Sequence, residues 1–231
     1  MKTLSSARNK NNVVHLFSKR SSHAISEKKI IRIAPELDGL EMLYTNDSTS
    51  DKLYSLKISC WGLRENGDVV GLVPWLNKIM PCNEIDDPLN GRWEGYRDPG
   101  IDEIFFTPPP HKVVELETAA EYYKYIPGEG NEVIQEVPDT IGTHAVLSTG
   151  KMESFLLLEV MSWQLLADGT INGMLVNDNK VMSTPVLPGD DSLYPAQSSP
   201  TFKYFFQHRI ANKIKEQDPD ALAAISLLMD P

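Results

Sequence analysis

Two pairs of adjacent aspartates are the residues of this sequence best suited to chemistry. The pairs are Asp86-Asp87 and Asp190-Asp191. Carboxylate oxygens are the preferred ligands of Mg²⁺ and Ca²⁺, and close carboxyl groups can divide the acid and base roles of hydrolysis. If the two loops converge, the sequence predicts a metal-dependent hydrolase with Mg or Ca bound by all four aspartates. Aspartate also favours turns for its own backbone hydrogen bonds, so a purely structural role is the simpler alternative.

Other catalytic motifs are absent from the sequence. There is no G-x-S-x-G elbow and no H-E-x-x-H pair, and Gly128-Glu129-Gly130 follows a predicted helix instead of a strand. His111, after three prolines, is a candidate loop cap or a lone base. Cys60 and Cys82 are too few for a disulfide framework, which favours a reduced, cytoplasmic compartment. The sequence therefore favours a binding protein over an enzyme, with no cofactor expected outside the metal alternative.

A stretch that mixes aromatic residues with arginine gives the candidate contact site. Arg92, Trp93, Tyr96 and Arg97 lie between Gly91 and Gly100, in a predicted loop. Exposed aromatic side chains beside arginine are typical of interface hot spots and stacking sites. We therefore predict that these four residues contact a ligand or a protein partner. The structural alternative is that Trp93 closes the edge of the core.

One motif occurs twice, at an offset of 102 residues. The pattern W-x-L-x-x-[ND]-G-x-[VI]-x-G-[LM] starts at Trp61 and again at Trp163. Asn-Gly and Asp-Gly are favoured in two-residue hairpin turns, and apolar residues alternate on both sides of each turn. Each copy therefore predicts a β-hairpin. The second glycine lies inside the returning strand, which predicts a bulge or a close approach of another group.

The likeness extends beyond the hairpins and predicts an internal duplication. Pro35–Gly39 resembles Pro138–Gly142, at an offset of 103. We predict an α+β fold of antiparallel β-hairpins and a few helices, with two related units packed as a pseudo-two-fold. We expect binding to use the Gly91–Gly100 loop and the cleft between the two units. The predicted division of the chain is an arm (1–32), a first unit (33–106), a connection with a short helix (107–135), a second unit (136–206) and C-terminal helices (207–231).

Helix signals follow each unit. Thr118-Ala119-Ala120-Glu121 has the form of a capping box, which predicts a short helix that ends before Pro127. Ser199-Pro200 resembles a helix start, and apolar residues recur at helical spacing from Phe202 to Ile214. A last helix is predicted after Asp218-Pro219. We expect the apolar stripes of these helices to face the core.

Charge is distributed unevenly along the chain, whose net charge is −10. Residues 1–32 hold eight Lys and Arg against one Glu, a net charge of +7, and the remainder holds 14 bases and 31 acids, a net charge of −17. The simplest interpretation of this basic arm, residues 1–32, is a solvated tail. The alternatives are a nucleic-acid or anionic-surface contact, a contact with the acidic body or a neighbouring subunit, and a cleaved transit peptide.

The partners expected from these observations are proteins, either a different chain or a second copy of this one. Nucleic acid is expected only through residues 1–32, because no cluster of basic residues follows them. No membrane contact is expected, since the longest apolar runs hold only a few residues. An assembly subunit whose basic arm reaches an acidic neighbour is a further alternative for the function.

Overall fold

Strands make up most of the described part of the chain, and they form four antiparallel sheets in a propeller-like ring. The structure, a computed structural model, describes residues 28–45, 53–87, 91–122, 130–148, 155–176 and 193–207. These ranges hold one α-helix, α1 (Pro110–Tyr122). Within the same ranges no helix has the length and apolar character that a membrane span requires.

The strands fall into two series, one on each side of α1. The first series is β1 (Ile30–Pro35), β2 (Glu41–Thr45), β3 (Tyr54–Lys57), β4 (Cys60–Arg64), β5 (Val69–Trp75), β6 (Lys78–Pro81), β7 (Asp86–Asp87), β8 (Gly91–Asp98) and β9 (Glu103–Phe105). The second series is β10 (Val133–Pro138), β11 (His144–Ser148), β12 (Phe155–Glu159), β13 (Ser162–Leu166), β14 (Ile171–Val176), β15 (Leu193–Pro195) and β16 (Phe202–Phe206). Short 3-10 turns at Cys82–Glu84 and Ala196–Ser198 follow β6 and β15.

Each series builds two sheets with the same strand order. Sheet I (β1-β4-β5-β6) matches sheet III (β10-β13-β14-β15), and sheet II (β3-β2-β8, with β7 and β9 paired to β8) matches sheet IV (β12-β11-β16). In the two predicted hairpins, Trp61 lies opposite Gly71 and Trp163 lies opposite Gly173. The prediction of two hairpins with the same register is confirmed.

The irregularities of the sheets also occur at matching places. The pairing of β1 with β4 shifts between Ile30 and Arg32, and the pairing of β10 with β13 shifts between Val133 and Gln135. A second matched pair of shifts lies in β2·β8 and β11·β16. A bulge bends the strand that contains it. Bulges at matching places therefore give the sheets of the two copies the same curvature. The first copy starts at Ile30, inside the segment 1–32 that we assigned to the arm.

The predicted fold class is wrong, because the described residues are mostly β and hold one helix instead of several. That helix starts at Pro110, eight residues before the capping box predicted at Thr118. A proline fits the first turn of a helix, where its missing N–H has no intrahelical acceptor, so the tri-proline run leads into the helix. The helices predicted after residue 207 lie outside the described residues.

The helix predicted from Phe202 is a strand, β16, paired with β11. The register of this pair skips Lys203, so that Phe202 and Phe205 share one face with ring centroids 4.9 Å apart. An extra residue in a strand converts the spacing of two into a spacing of three, which is also the spacing of a helix. The bulge therefore explains why apolar periodicity predicted the wrong element.

Two apolar cores lie on opposite faces of sheet I. Trp61 and Leu63 face the first core, which sheet II and one face of sheet IV complete. Cys60 and Val70 face the second core, which lies against sheet III and the other face of sheet IV. Both faces of sheet I are buried, and therefore its strands carry apolar residues at successive positions instead of alternating ones.

The predicted pseudo-two-fold packing is wrong, because equivalent faces are used differently: the face of sheet I with Cys60 and Val70 belongs to the second core, whereas the equivalent face of sheet III belongs to neither core. At the positions equivalent to Cys60 and Val70, sheet III carries Ser162 and Asn172. Glu136 lies on the same face of sheet III and accepts hydrogen bonds from Ser162 Oγ and from Gln164 Nε2, the latter at 3.0 Å. The two copies share a topology, but their faces are used differently.

The repeated tryptophan is fully buried, and a carboxylate after the first strand of its copy accepts its indole N–H. Trp61 Nε1 donates to Glu36, and Trp163 Nε1 donates to Asp139 Oδ1 at 2.9 Å. The same carboxylates accept backbone N–H groups four residues on, from Leu40 at 3.2 Å and from Thr143 at 2.8 Å. Each tryptophan thereby fixes the loop that connects the two sheets of its copy.

An aromatic ring lies against the second glycine of each motif. A Cβ at Gly71 would lie 2.9 Å from Tyr96 Cε1, and a Cβ at Gly173 would lie 2.7 Å from Phe205 Cε1. Ordinary Cβ contacts are longer than 3.4 Å, so neither position has room for a side chain. Of the two explanations offered by the sequence, a bulge or a close approach, the close approach is the one found.

Two glutamine carboxamides join the copies by forming the two backbone hydrogen bonds that a neighbouring strand would form. Gln135 Oε1 accepts the N–H of Ile33 at 2.9 Å, and Gln135 Nε2 donates to the carbonyl of the same residue. Gln207 makes the corresponding two bonds to Lys57, both at 3.1 Å. These bonds pair backbone groups at the edges of β1 and β3 that would otherwise lack a partner.

We expect Gly173→Ala to lower the free energy of unfolding by about 1–3 kcal/mol, because the added methyl group must displace the ring of Phe205. Urea denaturation measures the effect. The control is the same substitution in a Phe205→Leu background, where the contact with Phe205 is relieved and the one with Trp163, at 2.9 Å, remains, so we expect a smaller loss. An equal loss in both backgrounds would show that the ring is not the cause.

We expect Gln135→Glu to lower the free energy of unfolding by about 1–3 kcal/mol, because the carboxylate donates no hydrogen bond to the carbonyl of Ile33. The matched control is Asn131→Asp, an exposed amide-to-acid change just before the same strand. Thermal and urea denaturation of both variants give the comparison. If the two substitutions lower the free energy of unfolding equally, the carboxamide of Gln135 contributes nothing to the junction between the copies.

Candidate functional site

The segment predicted as a contact loop, Gly91–Gly100, is for most of its length the strand β8 (Gly91–Asp98). Its glycines suggested a loop, but they serve close approaches within the sheet. A Cβ at Gly91 would lie 2.8 Å from the ring of Trp75, and one at Gly95 would lie 3.1 Å from the carbonyl oxygen of Phe105. The loop expectation is therefore wrong, and β8 presents its side chains on two defined faces.

The four predicted contact residues differ in their surroundings. Tyr96 is 2% exposed, its hydroxyl accepts the N–H of Gly71 at 3.0 Å, and burial raises its pKa. Trp93 is half-buried, and its Nε1 has no hydrogen-bond partner within the described ranges. Arg92 Nε lies 3.5 Å from Asp86 Oδ1, and Arg97 Nη2 is ion-paired with Asp102 Oδ1 at 2.7 Å. Tyr96 thus belongs to the core, whereas the other three reach the surface.

An apolar surface that the sequence did not single out lies beside Trp93. We call Trp93, Ile104 and Phe106 the aromatic patch. Phe106 is 68% exposed and Ile104 is 49% exposed. Both side chains reach over Gly95, and the ring of Phe106 stands perpendicular to that of Trp93 at a centroid distance of 6.5 Å. Single exposed apolar residues are ordinary, but adjacent large ones mark an interaction site.

The strands around the aromatic patch are acidic. Six acidic residues and two arginines lie between positions 86 and 103. Arg92 and Arg97 are already ion-paired with aspartates of the same region, so they neutralise part of that charge locally. Glu94, Asp98 and Glu103 form no ion pair with the described residues. The surface therefore combines the apolar side chains of the aromatic patch with surrounding acids of net negative charge, which we call the acidic rim.

The aspartate pairs are only partly described. Asp86 and Asp87 form the short strand β7, opposite Arg92 and Gly91. Asp190 and Asp191 lie outside the described residues, so their convergence with the first pair stays a prediction. Within the described ranges, no group of three or more His, Cys, Asp or Glu side chains is placed to hold a metal ion.

The two cysteines are buried thiols in different cores. Cys60 faces the second core and Cys82 faces the first. Burial raises the pKa of both thiols, so the reactive thiolate form is disfavoured. Their surroundings are those of small apolar side chains and not those of nucleophiles.

His111 lies in a charged cluster at the start of α1. Its Nε2 lies 2.9 Å from Asp38 Oδ2, and Lys112 Nζ lies 3.2 Å from the same oxygen. The hydrogen bond from His111 and the nearby charge of Lys112 hold the pKa of Asp38 below its ordinary value, although burial opposes this shift. Burial opposes protonation of Lys112, but Asp38, Glu36 and Glu115 together raise its pKa. This cluster attaches α1 to the loop after β1, which is the loop-capping role considered for His111.

A concave surface lies where the two copies meet, and we call it the inter-copy cleft. Its volume is about 390 Å³. One wall is formed by the edge of sheet I and the residues before it, and the other by the turn of the β13–β14 hairpin. A shallower hollow on the polar face of sheet III adjoins it and shares four residues: Asp168, Thr170, Asn172 and Gln197. The internal duplication predicted a binding cleft between the copies, but the residues that line it depend on how the copies pack.

The sequence matches no protein-family model, and it matches neither a curated protein nor a solved structure. Function is therefore inferred from the surfaces described above.

The Asp38 cluster predicts a loss of stability in acid. A carboxyl group whose pKa is lowered by folding stabilises the fold above the unfolded value of 3.8, and this contribution is lost as pH falls through the folded value. We expect Asp38→Asn to be less stable than the native chain near pH 6, with a difference that shrinks below pH 3.8. Thermal denaturation at pH 6 and at several pH values below 3.8 tests it. A difference that does not change with pH would exclude this ionised carboxylate as the cause.

Proposed function

We propose that this protein is a binding protein that captures a protein segment with apolar and basic side chains on its aromatic patch. The observation that supports the proposal is the exposure of Phe106, at 68%, directly beside Ile104 and Trp93. Large apolar side chains in water are unfavourable, by roughly 25 cal/mol for each Å² that a partner would cover. Contact with a partner removes that cost.

The acidic rim determines which partner fits. Unpaired acids on β8 and β9, such as Glu103, would attract lysine or arginine, and Phe106 would receive an apolar side chain. Complementary charge at a rim raises the association rate and selects among partners more than it adds affinity. The partner class is therefore a short segment in which apolar residues are flanked by basic ones.

The N-terminal arm of a second copy has this composition. Its apolar run Val13–Phe17 lies between Lys10 and the pair Lys19-Arg20. This segment lies outside the described residues, and its role is argued from its sequence alone. Self-association through such a contact unites the interaction protein and the assembly subunit that the sequence suggested.

A labelled peptide of residues 8–22 tests the proposal by fluorescence anisotropy with the full chain. We expect Phe106→Asp and Ile104→Asp to weaken binding by at least about tenfold, since hot-spot truncations cost about 2 kcal/mol or more. The matched control is Val114→Asp, which changes a residue that is 60% exposed on α1, outside the aromatic patch. Binding should also weaken between roughly 50 and 300 mM NaCl, because salt screens the acidic rim.

Two results would contradict the proposal. One is equal affinity of the peptide for the Phe106→Asp and Val114→Asp variants. The other is the absence of saturable binding at low salt by the native chain.

A further inference from the structure

The inter-copy cleft holds polar groups that neither the fold nor the aromatic patch uses. Lys78 lies at the edge of sheet I and forms no ion pair with a described residue. On the opposite wall, the Thr170 hydroxyl and the Asn172 carboxamide make no hydrogen bond within the described ranges. A concave site with a few convergent polar groups is the usual form of a small-molecule site.

Positive charge is concentrated on the wall formed by sheet I. Lys28, Lys29 and Lys78 line the cleft there. Glu84 lines it as well, but its Oε1 already receives Arg64 Nη2 at 2.7 Å and Lys28 Nζ at 3.3 Å. The guanidinium of Arg64 is buried behind Glu84, where its charge is poorly screened by water.

The opposite wall supplies mainly uncharged hydrogen-bonding groups. Asp168 carries the only carboxylate of this wall among the described residues, and its Oδ1 accepts the N–H of Thr170 at 2.8 Å. Gln197 is held by β14, because its carboxamide bonds the N–H of Gly173 at 3.1 Å and the carbonyl of Ile171 at 3.2 Å. Thr170 and Asn172 therefore remain as the groups that can bond a ligand.

The charge balance determines the ligand class. Three bases (Lys28, Lys29 and Lys78) and two acids (Glu84 and Asp168) line the cleft, a local charge of +1 in a chain of net charge −10, and the buried Arg64 behind the wall pairs with Glu84. A volume of about 390 Å³ accommodates a small metabolite and not a polymer. We propose that the inter-copy cleft binds a small organic anion, with its phosphate or carboxylate at Lys28 and Lys78 and its polar body at Thr170 and Asn172.

Amide chemical shifts of the ¹⁵N-labelled full chain test the proposal. The probes are inorganic phosphate, glycerol 3-phosphate and citrate at constant ionic strength, with sodium chloride as the reference. We expect saturable shifts at the amides of Lys78, Thr170 and Asn172. Glycerol 3-phosphate and citrate separate a phosphate ligand from a carboxylate ligand, since the tighter of the two identifies the anionic group.

Variants test whether the lining residues are responsible. Lys78→Gln should weaken binding by at least about tenfold, in the range of a lost charge-assisted hydrogen bond. The matched control is Lys203→Gln, the same change at an exposed lysine of β16, outside the cleft. Asn172→Ala should weaken the binding of glycerol 3-phosphate and citrate more than that of inorganic phosphate, which is too small to span the cleft.

The proposal is overturned if none of the three probes gives saturable shifts at the cleft, or if chloride produces the same shifts. It is also overturned if Lys78→Gln and Lys203→Gln bind alike. Lys78 and Lys203 are exposed and Asn172 is half-buried, and all three lie outside both cores. Unchanged thermal denaturation of each variant excludes loss of the fold as the cause.

Discussion

A hydrogen bond from a fully buried indole N–H to a loop carboxylate occurs in both copies and organises the fold around it. Trp61 and Trp163 are fully buried, so an indole N–H without a partner would lose a hydrogen bond to water and gain nothing in return. Glu36 and Asp139 provide the acceptors from the loop after the first strand of each copy. Because the same carboxylates also bond backbone N–H groups of that loop, the tryptophan, the loop and the two sheets of a copy are fixed together. The facing glycine then admits an aromatic ring from the neighbouring sheet, which places Tyr96 and Phe205 at equivalent points.

Local signals in the sequence predicted the hairpins and their register, because turn residues and alternation act over a few positions. The Asn-Gly and Asp-Gly turns and the paired tryptophans are of this kind. The helix predictions are wrong at the places where two local signals conflict. At Lys203 a bulge gives a strand the apolar spacing of a helix, and at Thr118 a capping pattern lies inside a helix that a proline had already started. Neither conflict is resolved by the residues alone, since the pairing of β16 with β11 depends on a strand about 60 positions earlier.

The two candidate surfaces were harder to predict than the fold. The arginines and aromatics of β8 predicted a contact site that adjoins the aromatic patch, but Ile104 and Phe106 provide most of the exposed apolar area, and their approach over Gly95 brings them together. Tyr96 shows the opposite error, because an aromatic residue beside arginine can equally belong to the core. The inter-copy cleft lies between residues about 90 positions apart, and its walls are defined by the packing of the copies.

The two copies use equivalent faces of their sheets differently. Sheet I buries an apolar outer face, with Cys60 and Val70, against the second copy. An equally apolar face on sheet III would present the same surface to a further unit, and stacking without closure would lead to polymers. Ser162 and Asn172 occupy the equivalent positions of sheet III, so this face is more polar than its counterpart on sheet I. This polar face lies next to the lysines of sheet I, and Asn172 lines the inter-copy cleft between them. The difference between the two copies at this position therefore also supplies a hydrogen-bonding group that a ligand can contact.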